Sequence, residues 1–233
     1  MSAFFSTFTI EFMSMTSQNR MPESYLPESM KLYEKWFLLI VFVLFVTQTA
    51  FCQEECELRK ENGDLKVYTC LSDTKLKKIK TELVVENTSF EELVKFVNDI
   101  DNYVNWQYNT LEAKVLRVNA GSIIYRTVLD APWPVSNREV ITELTSAFDS
   151  VKQELIISSH NVEYDYPLDD ELVRVPSSDA RWQVTSVKGS LKIEYTLNID
   201  PGGVVPSWLV NIAMAEGPYN SFMKLKALLQ QKP

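Results

Sequence analysis

The chain has 233 residues, of which 45% are hydrophobic and 12% are aromatic. This length and composition suit one globular domain of up to about 200 residues with a tail. The net charge of −8 argues against a nucleic-acid partner, because phosphate binding requires a basic face and the sequence concentrates none.

Residues 30–52 have the layout of a secretory signal peptide. They have a lysine, Lys31, near their start, continue in an apolar run over residues 36–46, and end with Ala50 and Cys52 where signal peptidase prefers small residues. We therefore expect cleavage after Cys52 and export of the mature chain, to the periplasm or beyond the cell.

The alternative for the same segment is an uncleaved membrane anchor. The apolar run is shorter than the roughly 20 residues that span a bilayer, which favours cleavage. Residues 1–29 precede a complete signal and are interpreted as an over-extended start. Residues 53–233 then form the folded domain.

The first element after the signal is a hairpin with a cysteine on each side. Asn62-Gly63 is a typical hairpin turn, and Cys56 and Cys70 would face one another across it. An oxidising compartment favours a disulfide between them, worth about 3 kcal/mol for so short a loop. A metal site is the competing interpretation and lacks ligands, since His160 is the only histidine.

A strand over residues 79–85 and two short helices come next. Polar and apolar residues alternate along the strand. A capping box, either Thr88 to Glu91 or Ser89 to Glu92, then predicts a helix start. Residues 99–106 predict a second short helix or turn that carries Tyr103 and Trp106.

Period-two patterns dominate the middle of the chain and predict an antiparallel sheet with mostly short turns. Two connections are longer: the proline-bracketed loop 130–138 and the acidic loop 161–171. The strands are predicted over residues 111–118, 123–129, 140–148, 154–159, 181–187 and 191–200.

The last element is a long amphipathic helix. Pro206 suits the first turn of a helix that begins near Ser207, and Gly217-Pro218 predicts a kink or a short break. Curling the sheet around this helix is the simplest way to bury both apolar faces. The sequence therefore predicts an α+β fold whose curved sheet encloses some space.

Two proline-tryptophan motifs then point to a known family. They are Ala-Pro-Trp-Pro-Val-Ser-Asn-Arg at 131–138, and Pro-Gly-Gly at 201–203 followed by Pro-Ser-Trp-Leu-Val-Asn at 206–211. Weaker matches keep the same order: Glu57-Leu58 with Gly63, Val67 and Tyr68, then Tyr103 and Trp106, then Pro218-Tyr219-Asn220. Over nearly the whole mature chain, the sequence resembles the START family of lipid-transfer domains, most of all its exported bacterial single-domain members.

The resemblance implies a helix-grip fold, also called START/Bet v 1-like, in which a curved antiparallel sheet holds a long C-terminal helix. It implies non-catalytic binding of one lipid, sterol-like or other hydrophobic molecule in a tunnel, with transfer as an extension. No cofactor is expected. The expected partners are the hydrophobic small molecule and a transient membrane surface, and the protein is expected to be a monomer.

Nine residues are candidates to line or gate this tunnel, on inward strand positions, on the proline-rich loop and on the last helix. For each one alone, core packing is the competing interpretation. The candidates are Tyr125, Trp133, Leu144, Tyr195, Leu197, Trp208, Ile212, Tyr219 and Phe222. Gly217-Pro218 is a hypothetical hinge for ligand exchange.

The sequence also departs from the family. Cys56 and Cys70 replace a tryptophan and an arginine of typical members, which strengthens the predicted disulfide. Gln107 replaces the acidic residue of phosphatidylcholine-binding relatives, and Leu144 aligns with the buried arginine of sterol-binding relatives. The resemblance therefore does not transfer ligand identity.

Other function classes have weaker support. The sequence lacks a Gly-x-Ser-x-Gly elbow, a metal-ligand cluster, a phosphate loop and a Cys/His pair, so no catalytic residue is assigned. His160 is interpreted as a surface histidine. A polyketide-cyclase-type enzyme rests on fold analogy alone, and a passive envelope interaction module would require a cavity collapsed by large side chains.

Overall fold

The computed structural model describes residues 55–71 and 77–231. The predicted signal peptide at 30–52, its cleavage after Cys52 and the over-extended start at 1–29 lie outside the described residues. Within those residues, no helix is long and apolar enough to cross a bilayer.

The order of elements agrees with the sequence patterns. The described strands are β1 (Cys56–Asn62), β2 (Leu65–Cys70), β3 (Lys77–Glu86), β4 (Thr110–Asn119), β5 (Ser122–Leu129), β6 (Arg138–Asp149), β7 (Glu154–Asn161), β8 (Val173–Arg174), β9 (Ser177–Val187) and β10 (Ser190–Asp200). The described helices are α1 (Phe90–Asn98), a 3-10 turn (Ile100–Asn102), α2 (Tyr103–Trp106) and α3 (Ser207–Gln230).

One sheet contains all these strands. Its order is β1-β2-β3-β10-β9-β7-β6-β5-β4, with every neighbouring pair antiparallel, and the short β8 lies parallel to the start of β6. Helix α3 packs against β1, β2 and β3 and against both short helices. The predicted α+β helix-grip fold is confirmed.

The opening hairpin turns at Gly63, whose φ of +58° is the left-handed conformation that glycine adopts without a Cβ penalty. This turn sets the register of β1 and β2, and Cys56 lies directly opposite Cys70 with 3.9 Å between their Cα atoms. The two cysteines form the predicted disulfide.

Helix α1 begins with the second of the two proposed capping boxes. The Glu92 amide donates to Ser89 Oγ at 3.1 Å, and the Ser89 amide donates to Glu92 Oε2 at 2.8 Å. The two bonds satisfy backbone donors that the first turn of a helix leaves free. The cap turns Leu93 and Val97 into the core.

Helix α3 continues through Pro218, so the expectation of a short break at Gly217-Pro218 is wrong, and the alternative of a kink stays a prediction. Proline removes one backbone hydrogen bond, but side chains of the next turn bond to neighbouring carbonyls. Asn220 Nδ2 donates to the Glu216 carbonyl at 2.9 Å, and Ser221 Oγ donates to the Gly217 carbonyl at 2.8 Å. Pro218 itself is buried, and the helix continues beyond it to Gln230.

Strand β10 lies between β3 and β9 in the sheet, and its two halves differ in burial. Leu191 and Ile193 are buried in the core cluster, with exposures of 1% and 0%. Tyr195, Leu197 and Ile199 continue the same face but are only half-buried. The second half of the strand faces the cavity described next.

Candidate ligand cavity

A cavity of about 490 Å³ lies between β10, the loop 130–137 and the first half of α3. Its volume falls within the roughly 300–1,000 Å³ of small-molecule sites. Most of the wall is apolar. Its central apolar residues are Tyr195, Leu197 and Ile199 on β10, and Leu209, Ile212 and Phe222 on α3.

An aromatic cluster separates the cavity from the packed core. The ring of Trp182 lies 5.2 Å from that of Tyr195 and 5.0 Å from that of Phe222, and the last two are 5.1 Å apart. Such distances are typical of favourable tilted aromatic pairs. Burial raises the pKa of Tyr195, so its hydroxyl stays protonated as a hydrogen-bond donor.

The proline-rich loop forms one side of the cavity. The Val135 amide donates to the Pro132 carbonyl at 3.1 Å, and the Ala131 amide donates to Asn137 Oδ1 at 2.9 Å. These bonds fold the loop back on itself, so that Pro132 and Val135 contribute to the wall. Trp133 does not contribute to the wall and is 92% exposed.

Arg138 is a charged residue on this largely apolar wall. It is the first residue of β6 and is only 8% exposed. Its guanidinium donates to the carbonyl of Ser136 and, at 3.4 Å, to that of Gly202. Burial lowers the pKa of Arg138, because it penalises the charged form.

Trp106 also contributes to the wall. It lies at the end of α2, 2% exposed, with its ring 5.1 Å from that of Tyr103 and 5.5 Å from that of Phe96. Its indole Nε1 is buried and has no hydrogen-bond partner. A buried donor without an acceptor costs about 1–3 kcal/mol.

The structure brings four of the nine candidate residues to the cavity. They are Tyr195, Leu197, Ile212 and Phe222. The other five do not line it, and their place in the tunnel or its lid stays a prediction.

Tyr125 and Leu144 are buried in the core cluster, with exposures of 6% and 3%. Burial raises the pKa of Tyr125 to about 12. Trp208 is 60% exposed on the first turn of α3 and, like Trp133, lies outside the cavity. Tyr219 turns toward β1, where its hydroxyl accepts a hydrogen bond from Asn62 Nδ2 at 3.2 Å.

The sequence interpretation missed Arg138 and Trp106 as wall residues. Arg138 was placed at the end of a loop, although it continues the inward alternation of Val140, Thr142 and Leu144. That alternation could have identified it. For Trp106, no sequence pattern distinguishes a core tryptophan from one that faces a cavity.

A buried charge cluster lies away from the cavity, on the outer face of the sheet. Glu139, 1% exposed, accepts hydrogen bonds from Arg126 and, at 2.8 and 2.6 Å, from Arg174. Arg174 also donates to the Tyr166 carbonyl at 3.3 Å. The cluster links β8 and the acidic loop to the sheet.

Comparison with known proteins places this geometry in context. No family model matches the chain. An uncharacterized protein of Pseudomonas aeruginosa is 24% identical over 184 residues, which cover 77% of this chain and 89% of that protein. Mouse START domain-containing protein 10 is 28% identical over 142 residues, 60% of this chain, and the aligned part is only 48% of that relative's length.

Two solved structures are similar throughout the domain. The STAR-related lipid transfer protein of Xanthomonas axonopodis, fragment 25–204, has a TM-score of 0.68 and 24% identity, covering 76% of this chain and 99% of that one. Human STARD10 has a TM-score of 0.65 and 23% identity, with coverage of 81% and 79%. The resemblance to START proteins that the motifs predicted is therefore confirmed, and at these identities it establishes the fold.

Proposed function

We propose that the protein binds one hydrophobic molecule, a lipid or a molecule of similar size and polarity, inside the cavity and without catalysis. The observation that carries the proposal is the mostly apolar cavity of about 490 Å³ held between β10 and α3. The similarity to a STAR-related lipid transfer protein supports it. The protein acts as a monomer in this proposal.

Energetics favour a cavity over a surface groove for such a ligand. An acyl chain of about 14 methylenes, at about 0.8 kcal/mol each, needs about 11 kcal/mol of apolar shelter when it leaves a bilayer. A shallow groove would leave much of the chain in water. The space between sheet and helix provides that shelter.

Binding is tested by titration with Nile red, a neutral dye whose fluorescence rises in apolar surroundings. We expect saturation at one dye per chain and displacement by unlabelled lipids. A double variant, Leu197→Trp with Leu209→Trp, fills the cavity and should remove binding. Dye binding that both the wild type and this variant show equally would contradict the proposal.

We further propose that ligand exchange takes place at a membrane surface. Apolar side chains are exposed around the cavity: Trp133 is 92% exposed, Val204 96%, Trp208 60% and Ile212 50%. Trp133 and Trp208 suit the interfacial region of a bilayer, where one end of an aromatic side chain is apolar and the other wet.

Vesicle flotation tests this contact. Trp133→Ser with Trp208→Ser should reduce the vesicle-bound fraction and slow lipid transfer. Val151, 91% exposed at the turn between β6 and β7, provides a matched control, since Val151→Ser removes an equally exposed apolar group at the far end of the sheet. Equal losses in both variants would contradict a specific contact.

We also propose that the mature protein is exported. The Cys56–Cys70 disulfide supports this, since disulfides persist in oxidising compartments, and residues 30–52 have the pattern of a signal peptide. Mass spectrometry of the protein from its native compartment should find Gln53 as the first residue. An intact N-terminus would contradict cleavage.

A further inference from the structure

We propose that the ligand of this cavity carries an anionic oxygen head group, a carboxylate or a phosphate, and that Arg138 binds it. This inference rests on the proposed function, because it specifies the ligand of the same cavity. It follows from the position of Arg138 on the cavity wall and from the absence, among the described residues, of a carboxylate that pairs with it.

The position of Arg138 is fixed by the sheet. In the pairing of β5 with β6, Arg138 lies opposite Leu129, and both residues contribute to the cavity wall. Arg138 shares a strand face with Val140, Thr142 and Leu144, which are all buried. Its side chain therefore belongs to the concave side of the sheet, on which α3 lies.

The charge of Arg138 is not balanced within the protein. Its hydrogen-bond acceptors are two neutral carbonyls, and no carboxylate of the described residues lies within the 4.0 Å that defines an ion pair. Three of its five N–H groups have no acceptor there. Asp130 is on the same wall but is exposed and forms no such pair.

The charge cluster on the outer face shows the contrast. Arg126, 6% exposed, is as buried as Arg138, yet it pairs with both Glu139 and Glu112. A buried charge without a partner is strongly unfavourable. An oxyanion in the cavity would supply for Arg138 what the two glutamates supply for Arg126.

The start of helix α3 favours the same ligand. Helix α3 begins at the cavity with neither an acidic side chain in its first turn nor a side-chain cap. The positive end of its dipole is thus not neutralised by a neighbouring carboxylate.

The planar guanidinium of arginine matches carboxylate and phosphate oxygens with two parallel hydrogen bonds. In a water-poor cavity such a bond is stronger than in bulk water. The geometry therefore favours an amphiphile whose chain lies along β10 and whose oxyanion reaches Arg138. An ammonium head group would be repelled from the same position.

The test uses ligands that share one chain and differ in the head group. Dodecanoate, dodecyl phosphate, dodecanol and dodecyltrimethylammonium displace Nile red from the full mature chain. Wild type should bind the two anions at least about 10-fold more tightly than dodecanol, and the cation most weakly. The carboxylate and phosphate arms distinguish a fatty acid from a phosphate-bearing lipid.

Arg138→Gln should then remove about 10- to 100-fold of affinity for the anions, as expected when a bond to a charged group is lost. Its affinity for dodecanol should fall far less, because an alcohol has no charge to pair with Arg138, and a circular dichroism spectrum like that of the wild type verifies that the variant is folded. Arg138→Lys keeps the positive charge but not the planar guanidinium with its two parallel hydrogen bonds. It should therefore lose less affinity for the anions than Arg138→Gln. Arg181→Gln, an exposed arginine on β9, makes the same charge change elsewhere and should have no effect.

The outcomes distinguish a failure of the proposed hydrophobic binding from a failure of the head-group inference. If wild type binds no member of the series, the proposed function fails. If wild type binds dodecanol as tightly as dodecanoate, the head-group inference is overturned while hydrophobic binding stands, and this comparison needs no variant. An anion preference that survives in Arg138→Gln would also overturn it.

Discussion

The two halves of β10 have the same alternating pattern and different surroundings. Leu191 and Ile193 meet a packed core, whereas Tyr195 and Leu197 meet a cavity. The difference comes from α3. Its buried residues are Met214, Pro218, Phe222 and Leu225, so residues 207–213 at its start include no buried residue.

The first half of α3 covers the cavity and leaves apolar side chains exposed. Trp208 and Ile212 are 60% and 50% exposed. The half of β10 that contains Leu191 and Ile193, called the filled end, therefore supplies most of the stability. The half that contains Tyr195 and Leu197, called the open end, has the space and surface that a ligand needs. The following predictions test this division, from the largest expected effect to the smallest.

At the filled end, Ile193→Ala should lower the free energy of unfolding by about 4 kcal/mol, because it removes a fully buried side chain and leaves a void. Urea unfolding followed by circular dichroism measures the loss. Thermal and denaturant midpoints close to those of the wild type would show that this half of β10 is not the packed one.

The disulfide lies in the hairpin at the edge of the sheet next to β3. Cys56→Ser with Cys70→Ser should lower the free energy of unfolding by about 3 kcal/mol, since the bond closes a loop across a separation of 14 residues. Nile red affinity should not change, because neither cysteine lines the cavity. A large loss of affinity would mean that the hairpin also shapes the open end.

At the open end, Leu197→Ala should lower the free energy of unfolding by only about 1 kcal/mol, since its side chain is half-buried and borders existing space. Ligand affinity should fall, because a wall contact is lost. Thr196→Ala, on the opposite face of the same strand, is the matched control and should leave affinity unchanged. A loss for Leu197→Ala as large as that for Ile193→Ala would contradict the division.

The smallest expected effect is at the proposed hinge. A Cβ at Gly217 would meet only Tyr108 Cδ1 at 3.9 Å, an ordinary contact. Gly217→Ala should therefore stabilise α3 by about 0.5–1 kcal/mol and slow ligand exchange. Stopped-flow dye release measures the rate. An unchanged rate of dye release in a stabilised variant would contradict the hinge hypothesis but not the proposed ligand cavity.

The sequence predicted the fold well because each signal was local or periodic. Alternation located β10 within one residue, and the capping box located the start of α1. The Cys56–Cys70 pairing followed from the turn at Gly63. Each of these depends on neighbours along the chain or on one strand's own period.

The cavity was harder to predict. The alternation of apolar and polar residues indicates which face of a strand is inward, but not whether that face meets other side chains or a cavity. Tyr125 and Tyr195 have the same pattern, yet the first is in the core and the second on the wall. Trp133 was a candidate to line or gate the tunnel because the resemblance places it on the proline-rich loop, but the sequence does not show on which side of that loop its side chain lies. Only the three-dimensional arrangement distinguishes these cases.

The most direct test of the central claim is native mass spectrometry of gently purified mature protein. We expect one hydrophobic molecule per wild-type chain, and no bound molecule in the variant that combines Leu197→Trp with Leu209→Trp. Lipid extraction of the same sample would identify the molecule. A wild-type protein that is free of any ligand and remains so after incubation with lipid vesicles would contradict the account.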